Sequence, residues 1–183
     1  MTQLTVHEPV LKKEVLEGLQ VKPGGRYIDA TLGGGGHTRA ILEASAPDGQ
    51  VLGIDQDPDA LDRTGALLSD YGDRFHFVHG NFSGMAALAK SKNFASPDGI
   101  LMDLGVSSDQ LDTPARGFSF RFEGPLDMRM DPTTGVSVAG LLKVVDLNEL
   151  TDILRRLGEE RQARRIAIAI LKARDQDQLT DTL

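Results

Sequence analysis

The run Gly33-Gly34-Gly35-Gly36, set between Tyr27-Ile28-Asp29-Ala30 and a stretch carrying Ile41 and Leu42, constrains the fold more than any other feature of this chain. Bare glycine backbone lets a ligand approach closely, and the free N–H groups of the helix start that follows point at it. Strand, glycine loop and helix in that order open a parallel α/β sheet whose ligands gather at the carboxyl ends of its strands. The spacing Gly33-x-Gly35-x-x-Thr38 departs from the dinucleotide fingerprint at its third glycine, so the loop alone does not choose a ligand class.

From about Arg26 to Leu104, short apolar runs bounded by turn residues alternate with helical patterns, as in repeated βα units. The expected strands are Tyr27–Ala30, Val51–Ile54, Phe75–Val78 and Ile100–Met102. Pro9 is read as the first position of a lead-in helix whose Leu11, Val15, Leu16 and Leu19 share one face, ended by Pro23-Gly24-Gly25. A helix is expected to start near Thr38, another to open on Asp57-Pro58 as cap and first residue, and a third to carry Met85 and Leu88. After Gly105 the period changes. Residues 106–135, rich in Gly, Pro, Asp and Phe, read as ordered loop, and Val138 to Arg174 reads as helical with a break at Gly158. The division is therefore residues 1–105, an α/β core, and residues 106–183, a loop and helical domain.

Composition narrows the function classes. No segment approaches the roughly 20 apolar residues a membrane helix needs, and no signal-peptide pattern opens the chain, so a cytoplasmic location without membrane partners is expected. The absence of cysteine excludes disulfides, thiolate metal sites and a cysteine nucleophile, and no metal site is expected. A net charge of −7 means that any nucleic-acid contact must come from a local basic patch. Arg155, Arg156, Arg161, Arg164 and Arg165 form the one dense cluster, read either as an RNA-phosphate contact or as a solvated face paired with Glu159 and Glu160.

Twenty residues beyond Gly35, Asp55 ends the second strand, where a carboxylate can accept both ribose hydroxyl protons of an adenosine or merely cap the turn before Pro58. Asp29 in the first strand and Asp103 after the fourth add acids beside the loop. Carboxylates there suit S-adenosylmethionine, whose ammonium and sulfonium are cationic, and would repel a pyrophosphate. A nicotinamide-dependent oxidoreductase shares Gly35 and Asp55 but gives no reason for Asp29 and Asp103. On pattern alone three further residues stay open: His37 as a helix-entry residue or ligand contact, Phe82 as core or adenine platform, and Gln110 as capping-box partner of Ser107 or ligand contact.

The motifs His7-Glu8-Pro9-Val10-Leu11, Gly33 to His37, Asp103-Leu104-Gly105-Val106-Ser107-Ser108-x-Gln110-Leu111-Asp112, Arg116-Gly117-Phe118-Ser119-Phe120 and Gly124-Pro125-Leu126-Asp127-Met128-Arg129-Met130-Asp131-Pro132 are specific. With Leu157-Gly158-Glu159-Glu160-Arg161 and Arg165-Ile166-Ala167, they make the whole chain resemble the bacterial ribosomal RNA small-subunit methyltransferase H family, the cytosine-N4 methyltransferases also called MraW. The resemblance implies a Rossmann-like class I methyltransferase fold with strands 1–4 present, a helical domain inserted after the fourth strand, and closing strands that do not occur in these 183 residues. It implies methylation of the N4 amine of a cytosine in the decoding centre of 16S rRNA in the small ribosomal subunit, with S-adenosylmethionine as donor. Carried over by position, the donor contacts fall on Gly35, Gly36, His37, Asp55, Phe82, Asp103 and Gln110; the sequence departs at Asn81, where proline is expected in many relatives.

The cytosine amine is a poor nucleophile, so positioning carries most of the catalysis. DNA amine methyltransferases place an acid or amide, two prolines and an aromatic at the fourth strand end. Here Asp103-Leu104-Gly105-Val106 lacks the prolines, and the catalytic candidates are Asp103 with Phe118, Phe120 and Phe122 as stacking aromatics or insert core. No general base is assigned. With the sheet incomplete, strand four should present an apolar edge open to self-association, and the piece alone is expected to be unstable, inactive or held by another chain. A non-catalytic donor- or ribosome-binding fragment is the alternative reading.

Overall fold

A computed structural model describes residues 9–183; His7 and Glu8 of the first motif lie outside the described residues. The chain divides into two compact units between Ser107 and Ser108.

The first unit is a four-stranded parallel sheet made of β1 (Arg26–Asp29), β2 (Gln50–Asp55), β3 (Phe75–His79) and β4 (Gly99–Leu101), in the order β3-β2-β1-β4. The chain steps outward from β1 through β2 to β3, then crosses to the other side of β1 for β4. That reversal makes the carboxyl end of β1 the switch point where open α/β sheets hold ligands. The register pairs Ile28 with Leu52 on one side and with Ile100 on the other.

Alternation along the strands sends side chains to two cores. Tyr27, Val51 and Phe75 join Leu32, Ile41, Leu42, Leu61 and Leu68 on one face, against α2 (Gly36–Ala44) and α3 (Pro58–Leu67), with Leu16 and Leu19 from the α1 (Lys12–Gly18) region packed alongside. Ile28, Leu52 and Ile54 join Ala30, Ala89 and Phe94 on the other, under α4 (Met85–Ser91). Being covered on both faces explains why the central strands read as unbroken apolar runs rather than as alternation.

Helix α3 starts as its sequence dictates: Asp57 accepts the Asp59 N–H at 3.1 Å and Pro58 takes the first helical position. Helix α1 begins later than Pro9 suggests, because Leu11 takes a left-handed conformation as its cap. Helix α2 begins earlier, at Gly36, since the glycine loop ends as soon as Gly35 turns left-handed at φ 73°.

The second unit holds α5 (Ser108–Asp112), α6 (Val138–Val144), α7 (Leu147–Arg156) and α8 (Ala163–Asp175). Its core is Val145, Leu150 and Ala167, with Leu141, Leu142, Ile153, Leu154, Ile170 and Leu171 packed against it. Asp146 caps α7 by accepting the Asn148 and Glu149 N–H groups at 2.8 and 2.9 Å. The stretch expected as loop contains α5 and a 3-10 turn at Pro114–Arg116; helices this short leave no readable period. Beyond them the chain folds back on itself. Met128 donates to the Arg116 carbonyl, Arg116 reaches the Arg129 and Met130 carbonyls, and Arg129 holds Asp127 through both carboxylate oxygens at 2.8 and 2.7 Å. That fork holds the Asp127 carboxyl down to about 2.

Candidate donor-binding cleft

Past Asp29 the backbone leaves the sheet between its two neighbours: Ala30 donates to the Leu101 carbonyl on β4 and Leu32 to the Ile54 carbonyl on β2. The opening so made is bordered by the glycine loop, by Asp55 at the end of β2 and by Asp103 just beyond β4, while Asp29 of β1 is buried.

Asp55 is locked from two sides. Its Oδ2 accepts the Gly33 N–H at 2.7 Å and its Oδ1 the Asp57 N–H at 2.9 Å. Capping the turn and ligand contact are therefore not exclusive, because a carboxylate offers about four lone-pair sites and two remain. The loop itself is tightly built. Gly35 donates to the Leu32 carbonyl at 2.8 Å, and a side chain on Gly35 would meet Thr64 Cγ2 at 2.5 Å, so only glycine fits this left-handed position. Gly34 is exposed, with nothing within 4 Å of where its Cβ would be, and its N–H has no acceptor among the described residues.

Asp29 is 1% exposed, accepting the Thr38 hydroxyl at 2.7 Å and the Thr31 N–H at 3.2 Å. Burial, the dominant cause, pushes its carboxyl above the ordinary value despite both hydrogen bonds and the nearby His37. A raised folded pKa favours the protonated form, so this group contributes stability in acid that is lost as pH rises through the raised value. The Asp29→Asn chain is therefore expected to show a flatter fall of melting temperature as pH rises above the ordinary carboxylate value of about 4. Thermal melts from that pH upward check it, and an unchanged slope would contradict it.

Asp103 stands on the β4 side of the cleft, half exposed, its N–H donated to the Thr31 hydroxyl at 2.8 Å. His37, on the first turn of α2, brings Nε2 to 3.6 Å from Asp103 Oδ2 and leaves a buried Nδ1 with no partner among the described residues. An orphaned ring nitrogen costs free energy unless an incoming group satisfies it. Phe82, in a 3-10 turn at Phe82–Gly84 after β3, is half-buried against the Ile28 and Ile54 cluster.

Of the expected site residues, Gly35, Gly36, His37, Asp55 and Asp103, with Asp29, come together at one end of this sheet, and Phe82 follows its outer strand β3. Gln110, buried on α5, belongs to the second unit, as do Phe118, Phe120 and Phe122, of which Phe120 is 77% exposed. The five arginines are all exposed: Arg155 and Arg156 close α7, and Arg161, Arg164 and Arg165 flank the start of α8. Among the described residues no group of three or more His, Cys, Asp or Glu is placed to hold a metal ion, and no helix is long and apolar enough to cross a membrane.

Sequence reasoning missed three hydroxyls, Thr31, Thr38 and Thr64, which tie the loop, Asp29 and Asp103 together. Only the placing of Thr38 two residues behind the glycine run hinted at a role.

The chain is 53% identical over 178 residues to the "Ribosomal RNA small subunit methyltransferase H" of Thermomicrobium roseum, covering 97% of this chain and 55% of that protein. The protein of the same name from Trichlorobacter lovleyi is 49% identical over 177 residues, covering 97% and 56%. The chain thus spans about half the length of the curated relatives it matches. A solved structure titled as a putative rRNA-methylase from Clostridium thermocellum overlaps 46% of each chain at 25% identity and a TM-score of 0.38. The model of the MraW methylase family matches residues 4–183, and with this cleft at the switch point of a parallel sheet the chain belongs to that family.

Proposed function

We propose that this chain carries the donor-binding core and part of the substrate-recognition domain of an S-adenosylmethionine-dependent methyltransferase acting on the N4 amine of a cytosine in 16S rRNA of the small ribosomal subunit, in the cytoplasm. The observation that carries the reading is the convergence of Asp55 and Asp103 on an open glycine loop, with Asp29 buried and bonded to Thr31 and Thr38. The carboxylates of Asp55 and Asp103, at the carboxyl ends of the two strands flanking β1, repel an anionic pyrophosphate and attract an ammonium and a sulfonium. The residues present fit the donor: among the described residues Asp55 keeps free lone pairs for a ribose diol, Gly34 an outward N–H, and His37 a ring nitrogen without a partner. Gly35, Gly36, Phe82 and Gln110 complete the proposed contacts. The bound donor would supply an electrophilic methyl group. The chain's own part is to exclude alternatives and orient: Asp103 is the candidate to accept a hydrogen of the target amine, and exposed Phe120 and Phe122 are candidates to stack on the extruded base.

Transfer of labelled methyl from S-adenosylmethionine to 30S subunits, with a full-length curated relative run alongside, tests this reading. Label at a cytosine N4 supports it; absence of both donor binding and transfer by this chain, with the relative active, would leave it a non-catalytic ribosome-binding piece.

The arginine cluster supports the RNA half. Arg164 and Arg165 lie in the first turn of α8, where the helix dipole disfavours positive charge, and that turn has no acidic residue. None of the five pairs with Glu159 or Glu160 among the described residues; Arg155 comes to 3.9 Å from Asp152 and Arg165 donates to Gln162. Cations placed where they cost stability suit phosphate contact. Reversing both charges, Arg164→Glu with Arg165→Glu, is expected to weaken binding to 30S subunits by about tenfold or more and to lower the slope of log affinity against log salt by roughly two. Unchanged binding and slope would remove these residues from the interface.

A further inference from the structure

The two ends of one peptide plane in the glycine loop meet different fates. The Gly33 carbonyl accepts the Thr64 hydroxyl at 2.6 Å, while the Gly34 N–H of the same planar unit is exposed and bonds to nothing among the described residues. In a trans peptide the C=O and N–H point in opposite directions, so whatever grips one aims the other.

We infer that Thr64 is a positioning residue of the donor site: its hydroxyl turns the Gly33–Gly34 peptide so that the Gly34 N–H faces outward as a fixed donor to an acceptor oxygen of S-adenosylmethionine. Three observations support this. Thr64 is 1% exposed, so its hydroxyl has no water to compete for it. A threonine within a helix ordinarily bonds back to its own preceding turn, and this one instead reaches 31 residues away in sequence. Thr64 Cγ2 also occupies the space a Gly35 side chain would need, so one residue of α3 sets both the orientation and the close approach of the loop. With Gly33 N–H held by Asp55, the Gly33 residue is fixed at both its polar groups by side chains from outside the loop. Such fixing removes the ordering cost a ligand would otherwise meet.

The inference rests on the proposed donor, and the test separates the two. In the Thr64→Val chain, which keeps the shape and loses the hydroxyl, the Gly35 amide, bonded to the Leu32 carbonyl at 2.8 Å, is expected to exchange several-fold faster without ligand. Titration calorimetry should show S-adenosylmethionine bound about tenfold more weakly, the size of one lost hydrogen bond. Thr64→Ser should restore affinity to within about threefold of the unsubstituted chain. Valine without effect on exchange or affinity, or serine as weak as valine, would overturn the inference. If the unsubstituted chain binds no donor, the functional reading falls instead, and Gly35 exchange alone decides whether Thr64 orders the loop.

Discussion

Replacing Asp55 by alanine is expected to weaken S-adenosylmethionine binding by roughly 100-fold, the largest single loss among the cleft residues. Two effects combine. The ribose hydroxyls lose their charged acceptor, and the Gly33 and Asp57 N–H groups lose theirs, so the loop loosens at the point where it must be rigid. Hydrogen bonds to charged groups are worth about 1.5–3 kcal/mol each, and about 2.7 kcal/mol corresponds to that factor. Asp55→Asn keeps one carbonyl acceptor and should lose roughly a tenth as much affinity, on the same scale. Calorimetric titration of the three chains settles the order, and an alanine variant binding within about threefold of the unsubstituted chain would end the case for Asp55 as the ribose acceptor.

Gly117→Ala is expected to damage the second unit severely. Gly117 sits at φ 74°, and its Cβ would stand 2.9 Å from the Asp127 nitrogen, with the Pro125 carbonyl oxygen closer still. Those neighbours are backbone and cannot swing aside. Strain at a left-handed position and overpacking together amount to about 3 kcal/mol, which for a unit this small lowers the melting temperature by more than about 10 °C. Gly135→Ala is the control. It shares the positive φ, at 76°, but meets nothing within 4 Å, so only the conformational cost of about 1 kcal/mol remains. Equal melting temperatures for the two variants would show that the folded-back loop does not close as described.

Local chemistry was legible in the sequence and distant chemistry was not. Asp57-Pro58 announced the start of α3 because a cap and a proline act within one turn. The central strands β1 and β2 were legible because burial on both faces leaves mainly apolar residues between turn signals, and the edge strands β3 and β4 because short apolar runs still lie between such signals. The cleft acids were legible because the sheet order places strand ends together, so Asp55 and Asp103 needed only their strands to be found. The hydroxyl contacts had no such signal: Thr31 meets Asp103 across 72 residues and Thr64 meets Gly33 across 31, and nothing in either neighbourhood marks the partner. The lead-in helix was misplaced at its start because a left-handed Leu11 breaks the rule that proline opens a helix.

Strand β4 is three residues long and pairs with β1 alone among the described residues. It is therefore the element of the sheet with the fewest ties, the first to fray on warming. Asp103 rides just beyond it, tethered to the rest of the unit by one contact to Thr31 and a longer one to His37. A cation settling between Asp103 and the fixed acid of β2, Asp55, would act as a clasp, gaining its hold on the loose margin of the sheet from the rigidity of its centre.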